Sequence, residues 1–534
     1  MIFIKKNAII LAAGKSNRIA PFTYEKPKGL FSVKGEILIE RQIEQLIEAG
    51  IEDIIVVIGY MEEKFFYLER KYPEVKLVTN NTYMKFGNIY SMYMAREYLE
   101  NTFICCADHY FLENPFIEDN ELNQSYRAST FLTGNFREYS IDYSDAGVIT
   151  KCHMGGSDSQ AMIGHAYFNE NFSQKFRELL EAEIDDFGIT NMFWEDFYTK
   201  HIDELTLFVK EFEEGSILEF DSVDDLRDFD SDFLLNVDSE IVENICQVFE
   251  CHPNDINNIE IINAGFTNVS FKFTVNDIDY VYRHPGGSDK YYSKRSNEVY
   301  SQNYAKKLGI DDSLIYIDPE GWKISYFIDD IVEFDLFNDD HRRQLMDAIH
   351  KTQEIPVTDE IQEFDTVKEG KKLIKLACAT KGDLFAEFKD MFDKIDKVDE
   401  LVKAEREKYG IDLVVSHHDI YYPNLLPTSR GEFFLIDWEY SSVNDPANDI
   451  CGLITRYDFD DETIEFILRE YYGRELTPLE HRHVMGQSIV TALYWISWPL
   501  FRASMGEENG FFLLTSFRYI EDHIDDVLES YKEL

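Results

Sequence analysis

Basic residues are scarce in this 534-residue chain: 52 Lys and Arg stand against 101 Asp and Glu, for a net charge of −49. Such a surface repels phosphate backbones and so excludes nucleic acid as a partner. It favours cationic small molecules, and any nucleotide site must overcome the field locally with Lys, Arg and metal. Cysteine is scarce too, seven in all, with only Cys105 and Cys106 adjacent and no metal-ligand spacing. That pattern predicts reduced thiols in a cytoplasmic protein. No apolar run reaches the ~18 residues of a spanning helix, so no membrane insertion is expected. The opening MIFIKKNAIILAAG faintly suggests a signal peptide, but Lys5 and Lys6 split it, and it reads better as a first strand and loop. No internal repeat, low-complexity tract or Gly/Ser or Pro linker is found.

What the chain does have is core-forming material, 44% hydrophobic and 15% aromatic. Its length predicts at least two domains. The stretch DSVDDLRDFDSDF is acidic and loses apolar periodicity after Leu226, which sets the expected junction near residue 233. The expected domains are therefore residues 1–233 and 234–534.

In the first half, NAIILAAG reads as a buried strand entering a glycine turn, and residues 37 to 50 as an amphipathic helix ending at Gly50. IEDIIVVIGY is a second strand, residues 62 to 72 a helix, and KLVTN and TFICCAD further strands. Alternating strands and helices predict an α/β domain with a mostly parallel sheet, covered on both faces. Ligands bind beyond the carboxyl ends of such strands, here Gly14, Gly59 and Asp108. Gly14-Lys15-Ser16 mimics the end of a GxxxxGK[ST] loop, but the first glycine would fall at Ile9, inside a strand. The better reading is a turn, Leu11 to Gly14, whose backbone amides hold nucleotide phosphates, with Arg18 and Lys28 adding charge. Glu219 and Asp221 stand two apart after a strand-like run, which would aim both carboxylates at one metal.

The pattern LAAGxxxRxxPxTxxxPKxL resembles the sugar-nucleotide and phosphocholine nucleotidyltransferases, with Ser16 where many relatives carry a second glycine. The resemblance implies Asp108, Glu219 and Asp221 as magnesium ligands and Lys28 as the catalytic cation. FGNIYSMYMAR, with Asn88 and Ser91, and ITNMFWEDFY, with Trp194, Glu195 and Asp196, resemble the phosphocholine cytidylyltransferase branch. They imply a nucleotide contact at Asn88 and an ammonium site at Trp194 and Glu195. A quaternary ammonium donates no hydrogen bond and is held by aromatic faces and carboxylates.

In the second half, SHHDIYYPNLLPTSRGEFFLIDWEY holds His417, Asp419 and Asn424 as H-x-D-x-x-x-x-N, and then Asp437. Phosphoryl transfer asks a protein mainly for positioning and charge neutralisation. Asp419 suits the orientation and deprotonation of a hydroxyl, and Asn424 and Asp437 suit a magnesium ion on the phosphates. The stretch resembles the choline and ethanolamine kinases and, more distantly, the aminoglycoside phosphotransferases. The resemblance implies a bilobal, protein-kinase-like α+β domain. Gly265, with Thr267 and Asn268, would form a hairpin loop over the ATP phosphates, and Arg283 would replace the phosphate-pairing lysine with Glu298 as its partner. ISYFIDDIVEF resembles the hinge between lobes. Glu439, Tyr440 and the i, i+3 pair Trp495 and Trp498 would line a choline pocket.

The expected protein is thus a bifunctional enzyme making CDP-choline from choline, ATP and CTP with Mg2+ in both domains, for decoration of a bacterial surface polymer. Ethanolamine or 2-aminoethylphosphonate are the alternative substrates, and a sugar-phosphate nucleotidyltransferase fused to another small-molecule kinase is a further one. A non-catalytic nucleotide sensor is disfavoured by the two full acidic sets. A homo-oligomer is left open.

Overall fold

The computed structural model describes residues 5–117, 124–262, 269–285, 294–506 and 512–532. They form two compact units, Met1–Ile259 and Glu260–Leu534. The division falls later than the composition break near residue 233. The reason is local: the helix Glu240–Phe249 is capped by Ser239, whose hydroxyl donates to Glu25, while Glu25 also accepts from the Ile241 amide at 3.1 Å. The helix is therefore tied to the first unit by its own N-terminus, and an acidic stretch alone did not mark the boundary.

The first unit is built on a seven-stranded sheet. Its order is Phe208–Glu211, Tyr126–Tyr143, Ile149–Phe168, Thr102–Cys106, Asn7–Ala12, Ile54–Ile58 and Val75–Thr79. Only Ile149–Phe168 runs against the rest, giving the mostly parallel sheet that the alternating pattern predicts. The strand Asn7–Ala12 is apolar on both faces because both are covered: Ile9 packs into one core with Ile55 and Ile104, Ala8 and Ile10 into the other with Val56 and Cys105. Continuous apolar runs are what a doubly covered parallel strand requires. Leu38–Glu48 forms the expected helix, whereas residues 62 to 72 form only short helical turns, Glu62–Phe65 and Leu68–Lys71.

A five-stranded sheet, whose first strand Asn257–Ile262 runs across the division into the second unit, continues in the order Val269–Val275, Ile278–His284, Lys323–Tyr326 and Leu314–Ile317. The helix Arg295–Lys307 follows its third strand and carries Glu298. The rest is helical, with Asp339–Gln353, Lys389–Tyr409, Asn448–Arg456, Pro478–Ser504 and Phe512–Ser530 burying Ile349, Ile395, Leu453, Ile489 and Ile520 in one core. Two short antiparallel pairs interrupt them, Val414–Ser416 with Ser442–Asn444 and Leu425–Pro427 with Phe433–Leu435. This small lobe of sheet and large lobe of helices is the bilobal α+β arrangement expected for a protein-kinase-like domain.

Candidate active sites of the two units

A cleft of about 480 Å³ opens at the carboxyl ends of the parallel strands of the first unit. Leu11, Ala12, Ala13 and Gly14 form one wall, and Lys28, Asn88, Asp108 and Glu219 also line it. Ser16 takes the left-handed φ of +51° that a glycine would adopt without strain. Gly29 is needed for approach, because a Cβ there would stand 2.9 Å from that of Ala107. That close contact sets Lys28 against the loop carrying Asp108. Lys28 Nζ lies 2.9 Å from Asp108 Oδ2, and Lys28 is buried. From below, the fully buried Gln42 donates its amide to the carbonyls of Cys106 at 2.8 Å and His109 at 2.9 Å. The pairing of Ile217–Glu219 with His109–Phe111 brings Glu219 beside His109, with Oε2 and Nε2 3.5 Å apart.

Burial opposes ionisation of Asp108, but the charges of Lys28 and His109 outweigh it and hold the carboxyl at about 2. Glu219 is likewise lowered, burial being overcome first by its hydrogen bond to His109. Among the described residues, Cys106, Asp108 and His109 group their donor atoms within 4.8 Å. The Cys106 thiol is pushed far up by burial and then by Asp108, and so stays protonated. The ionised oxygen donors Asp108 and Glu219 fit a hard cation such as magnesium.

Other expected residues stand differently. Trp194 is 2% exposed and packs edge-on against Phe168, with Arg127 over its ring, so its face is unavailable to a ligand. It opens the helix Trp194–Lys200 with its amide bound to Asn88 Oδ1 at 2.7 Å, and the neighbouring Phe193 lines the cleft instead. Glu195 lies 3.7 Å from the buried Arg127 and is raised to about 7 by burial, which the Arg127 charge only partly offsets. Asp221 lies beyond the end of its strand and pairs with the exposed Arg18 at 2.8 Å. Two-residue alternation therefore does not bring it in line with Glu219.

In the second unit, Arg283 Nη2 lies 2.5 Å from Glu298 Oε1, and its Nη1 lies 3.2 Å from Asp437 Oδ1. Glu298 also receives Arg295 at 2.8 Å and Lys323 at 3.5 Å. Burial would raise Glu298, but these cations, Arg283 first, hold it at about 2. Lys323, which sequence reasoning missed, is opposite Arg283 on the next strand and is lowered by burial and then by the Arg283 charge.

The loop with Asp419 is fixed from several sides. Asn424 donates to Asp419 Oδ2 at 2.8 Å, which leaves its own Oδ1 free to face a cation. His417 is kept neutral by burial, at about 3; it donates from Nε2 to the Ile436 carbonyl at 3.0 Å and accepts the Asp419 amide at Nδ1. It thus ties the Asp419 loop to the segment bearing Asp437. His418 and Asp437 hold φ of +68° and +65°, backbone strain concentrated at these two turns. Asn424 and Asp437 offer oxygen donors that fit magnesium. Asp449, at the start of Asn448–Arg456, accepts the His417 and His418 amides at 2.9 and 2.8 Å. Two turns on, Arg456 donates to Asp419 Oδ1 at 2.6 Å and lies over Trp495, 3.2 Å from its centroid. Neither residue was singled out from sequence, although their i, i+7 spacing puts both on one helical face.

Glu439, Tyr440, Trp495 and Trp498 are all at most 5% exposed, and the last three pack with Tyr494 and Phe512. The expected pocket is thus a filled aromatic cluster whose Trp495 face is covered by Arg456. Gly265, Thr267 and Asn268 lie outside the described residues.

A lysine and acidic pair in a glycine-turned cleft fits the chemistry of nucleotidyl transfer, and the Asp-Asn-Asp set with an Arg–Glu pair fits that of phosphoryl transfer. Residues 8–126 match the family described as MobA-like NTP transferase domain, and residues 259–475 that described as choline/ethanolamine kinase. The 2-aminoethylphosphonate cytidylyltransferase of Lancefieldella rimae is 38% identical over 232 residues, 43% of this chain and 94% of that one. The choline-phosphate cytidylyltransferase of Streptococcus pneumoniae is 34% identical over 220 residues, 41% of this chain and 95% of that one. The choline kinase LicA from Streptococcus pneumoniae aligns at 21% identity over 55% of this chain and 98% of that one, with a TM-score of 0.42. The chain belongs to the cytidylyltransferase family in its first part and carries a choline kinase family domain in its second. No helix among the described residues is long and apolar enough to cross a membrane.

Proposed function

We propose that the chain is a bifunctional enzyme that makes CDP-choline. In the second unit, Asp419 orients the choline hydroxyl and accepts its proton as the oxygen attacks the γ-phosphorus of ATP, and ADP leaves. Arg283, steered by Glu298, is placed to meet the ATP phosphates, and Asn424 and Asp437 would hold a magnesium ion that neutralises phosphate charge. In the first unit, an ionised oxygen of phosphocholine attacks the α-phosphorus of CTP and pyrophosphate leaves, with no general base required. Lys28 neutralises the charge that develops on the α-phosphate, and the turn from Leu11 to Gly14 cradles the phosphates with its backbone amides. Asp108 and Glu219 would hold a magnesium ion, which would supply further charge neutralisation there. Glu195 faces the ammonium group.

One observation carries the reading. A relative of the first unit takes a choline phosphate as its named substrate, and a choline kinase family domain in the same chain would make that molecule. A second reading, 2-aminoethylphosphonate as the first unit's substrate, has the Lancefieldella rimae relative in its favour. Its carbon–phosphorus bond is not formed by a kinase, so on that reading the two units share no intermediate. Purified protein with Mg2+ should form ADP with choline and release pyrophosphate from CTP with phosphocholine. Pyrophosphate release with 2-aminoethylphosphonate but not phosphocholine selects the second reading, and inactivity on every one of these substrates overturns both.

A further inference from the structure

Arg456 is an unusual tenant for an aromatic cluster expected to receive an external cation. Its side chain is 1% exposed and lies over Trp495, 3.2 Å from the ring centroid. Nη1 holds Asp419 Oδ1 at 2.6 Å and Nη2 holds the His418 carbonyl at 3.2 Å, while Nε is buried without a hydrogen-bond partner. With Asn424 on Oδ2, both oxygens of the candidate base are engaged. The guanidinium thus does two things at once. It takes the ring face that a substrate ammonium would use, and it occupies the carboxylate that a substrate hydroxyl would approach.

We propose that Arg456 is a specificity-determining and positioning residue of the second unit, a resident cation that only a quaternary ammonium alcohol displaces from Trp495. Its departure releases Asp419 to the incoming hydroxyl. The inference rests on the phosphotransfer reading of that unit. Physical chemistry favours this exchange for one class of acceptor. A trimethylammonium group is weakly hydrated and gains from an aromatic face, as the guanidinium does. A primary ammonium is strongly hydrated and seeks carboxylates and carbonyls, so it competes poorly for Trp495. The leaving side chain belongs to the last residue of the helix Asn448–Arg456, so its swing disturbs no interior helical turn. While it stays, Asp419 is shielded from water as well as from alcohol, which restrains attack of water on the γ-phosphorus to give ADP and phosphate.

The test compares the full chain with its Arg456→Gln and Arg456→Lys variants on choline, on ethanolamine and with no acceptor. Arg456→Gln should narrow the choline-over-ethanolamine ratio of kcat/KM by about tenfold, the scale of one desolvated cation–π contact, and raise acceptor-free ATP hydrolysis. Arg456→Lys should restore both towards the parent. An Arg456→Gln variant that loses rate equally on both alcohols, with unchanged ATP hydrolysis, overturns the proposal and makes Arg456 a structural prop. If that variant does not fold, a crystal of the unaltered protein with choline and a non-hydrolysable ATP analogue decides. The guanidinium should have left Trp495, and its persistence there beside bound choline overturns the idea. An unaltered protein inactive on both alcohols refutes the phosphotransfer reading itself, and is thereby distinguished from a failure of Arg456 alone.

Discussion

Lys28 Nζ and Asp108 Oδ2 stand 2.9 Å apart although 80 residues separate them in the chain. The cation is 6% exposed, and the carboxylate stays ionised down to about 2. A charge fixed in this way costs no reorganisation when negative charge develops at a phosphate. Lys28→Met should cut cytidylyl transfer by roughly 10²–10³-fold and leave choline-dependent ADP formation intact. Coupled assays of pyrophosphate and ADP on one preparation check this, and loss of both activities would refute two separate sites.

Asp419→Asn keeps the shape of the side chain and removes the base. Kinase turnover should fall by about 10²–10⁴-fold while pyrophosphate release from CTP continues. Unchanged ADP formation would remove Asp419 from the chemistry.

Glu298 is a buried anion shared by three cations, Arg283, Arg295 and Lys323. Breaking a buried pair by removing one partner costs about 3–5 kcal/mol, because the other charge is left uncompensated. Glu298→Gln should therefore destabilise the second unit by that order and raise KM for ATP. Denaturant unfolding and ATP titration measure the two effects.

Glu195 is raised to about 7 by burial. It is neutral below that value and ionised above it, so KM for phosphocholine should fall as pH rises through 7. Glu195→Gln should raise KM and flatten the profile. A parent enzyme whose KM does not change between about pH 6 and pH 8, a window spanning that ionisation, would free Glu195 of this role.

His483 is clamped between Asp445 at 2.9 Å and Glu405 at 3.2 Å, and these carboxylates raise it above 6.5 despite burial. A raised folded pKa contributes stability that is complete below the ordinary histidine value and is lost as pH climbs through the folded one. The melting temperature of the second unit should therefore drop as pH increases from about 6.5 upwards, and His483→Gln should remove that slope. Calorimetry across this range tests it.

How far the chain can be read without coordinates is clearest at particular residues. The strand running to Gly14 can be read because cover on both faces makes it one continuous apolar run, and the amphipathic helix 37 to 50 because burial of one face imposes a period of 3.6 on local sequence. Asp419, Asn424 and Asp437 can be grouped from sequence because one short loop and hairpin carry all three. Trp194 was misjudged because a tryptophan beside two acids looks the same in a core as in a ligand cage. Only the packing of Phe168 and Arg127 around it separates the two.

Sequence alone determined that two nucleotide-handling domains lie in tandem, since their motifs are local strings whose residue types follow from the chemistry. Tertiary structure decided the partners: Gln42 beneath the Asp108 loop, Lys323 beside Arg283, and Arg456 between Asp419 and Trp495. These contacts join residues distant in sequence or hidden on a helix face. Their energy comes from burial and charge at short range, which exist only once the chain has folded.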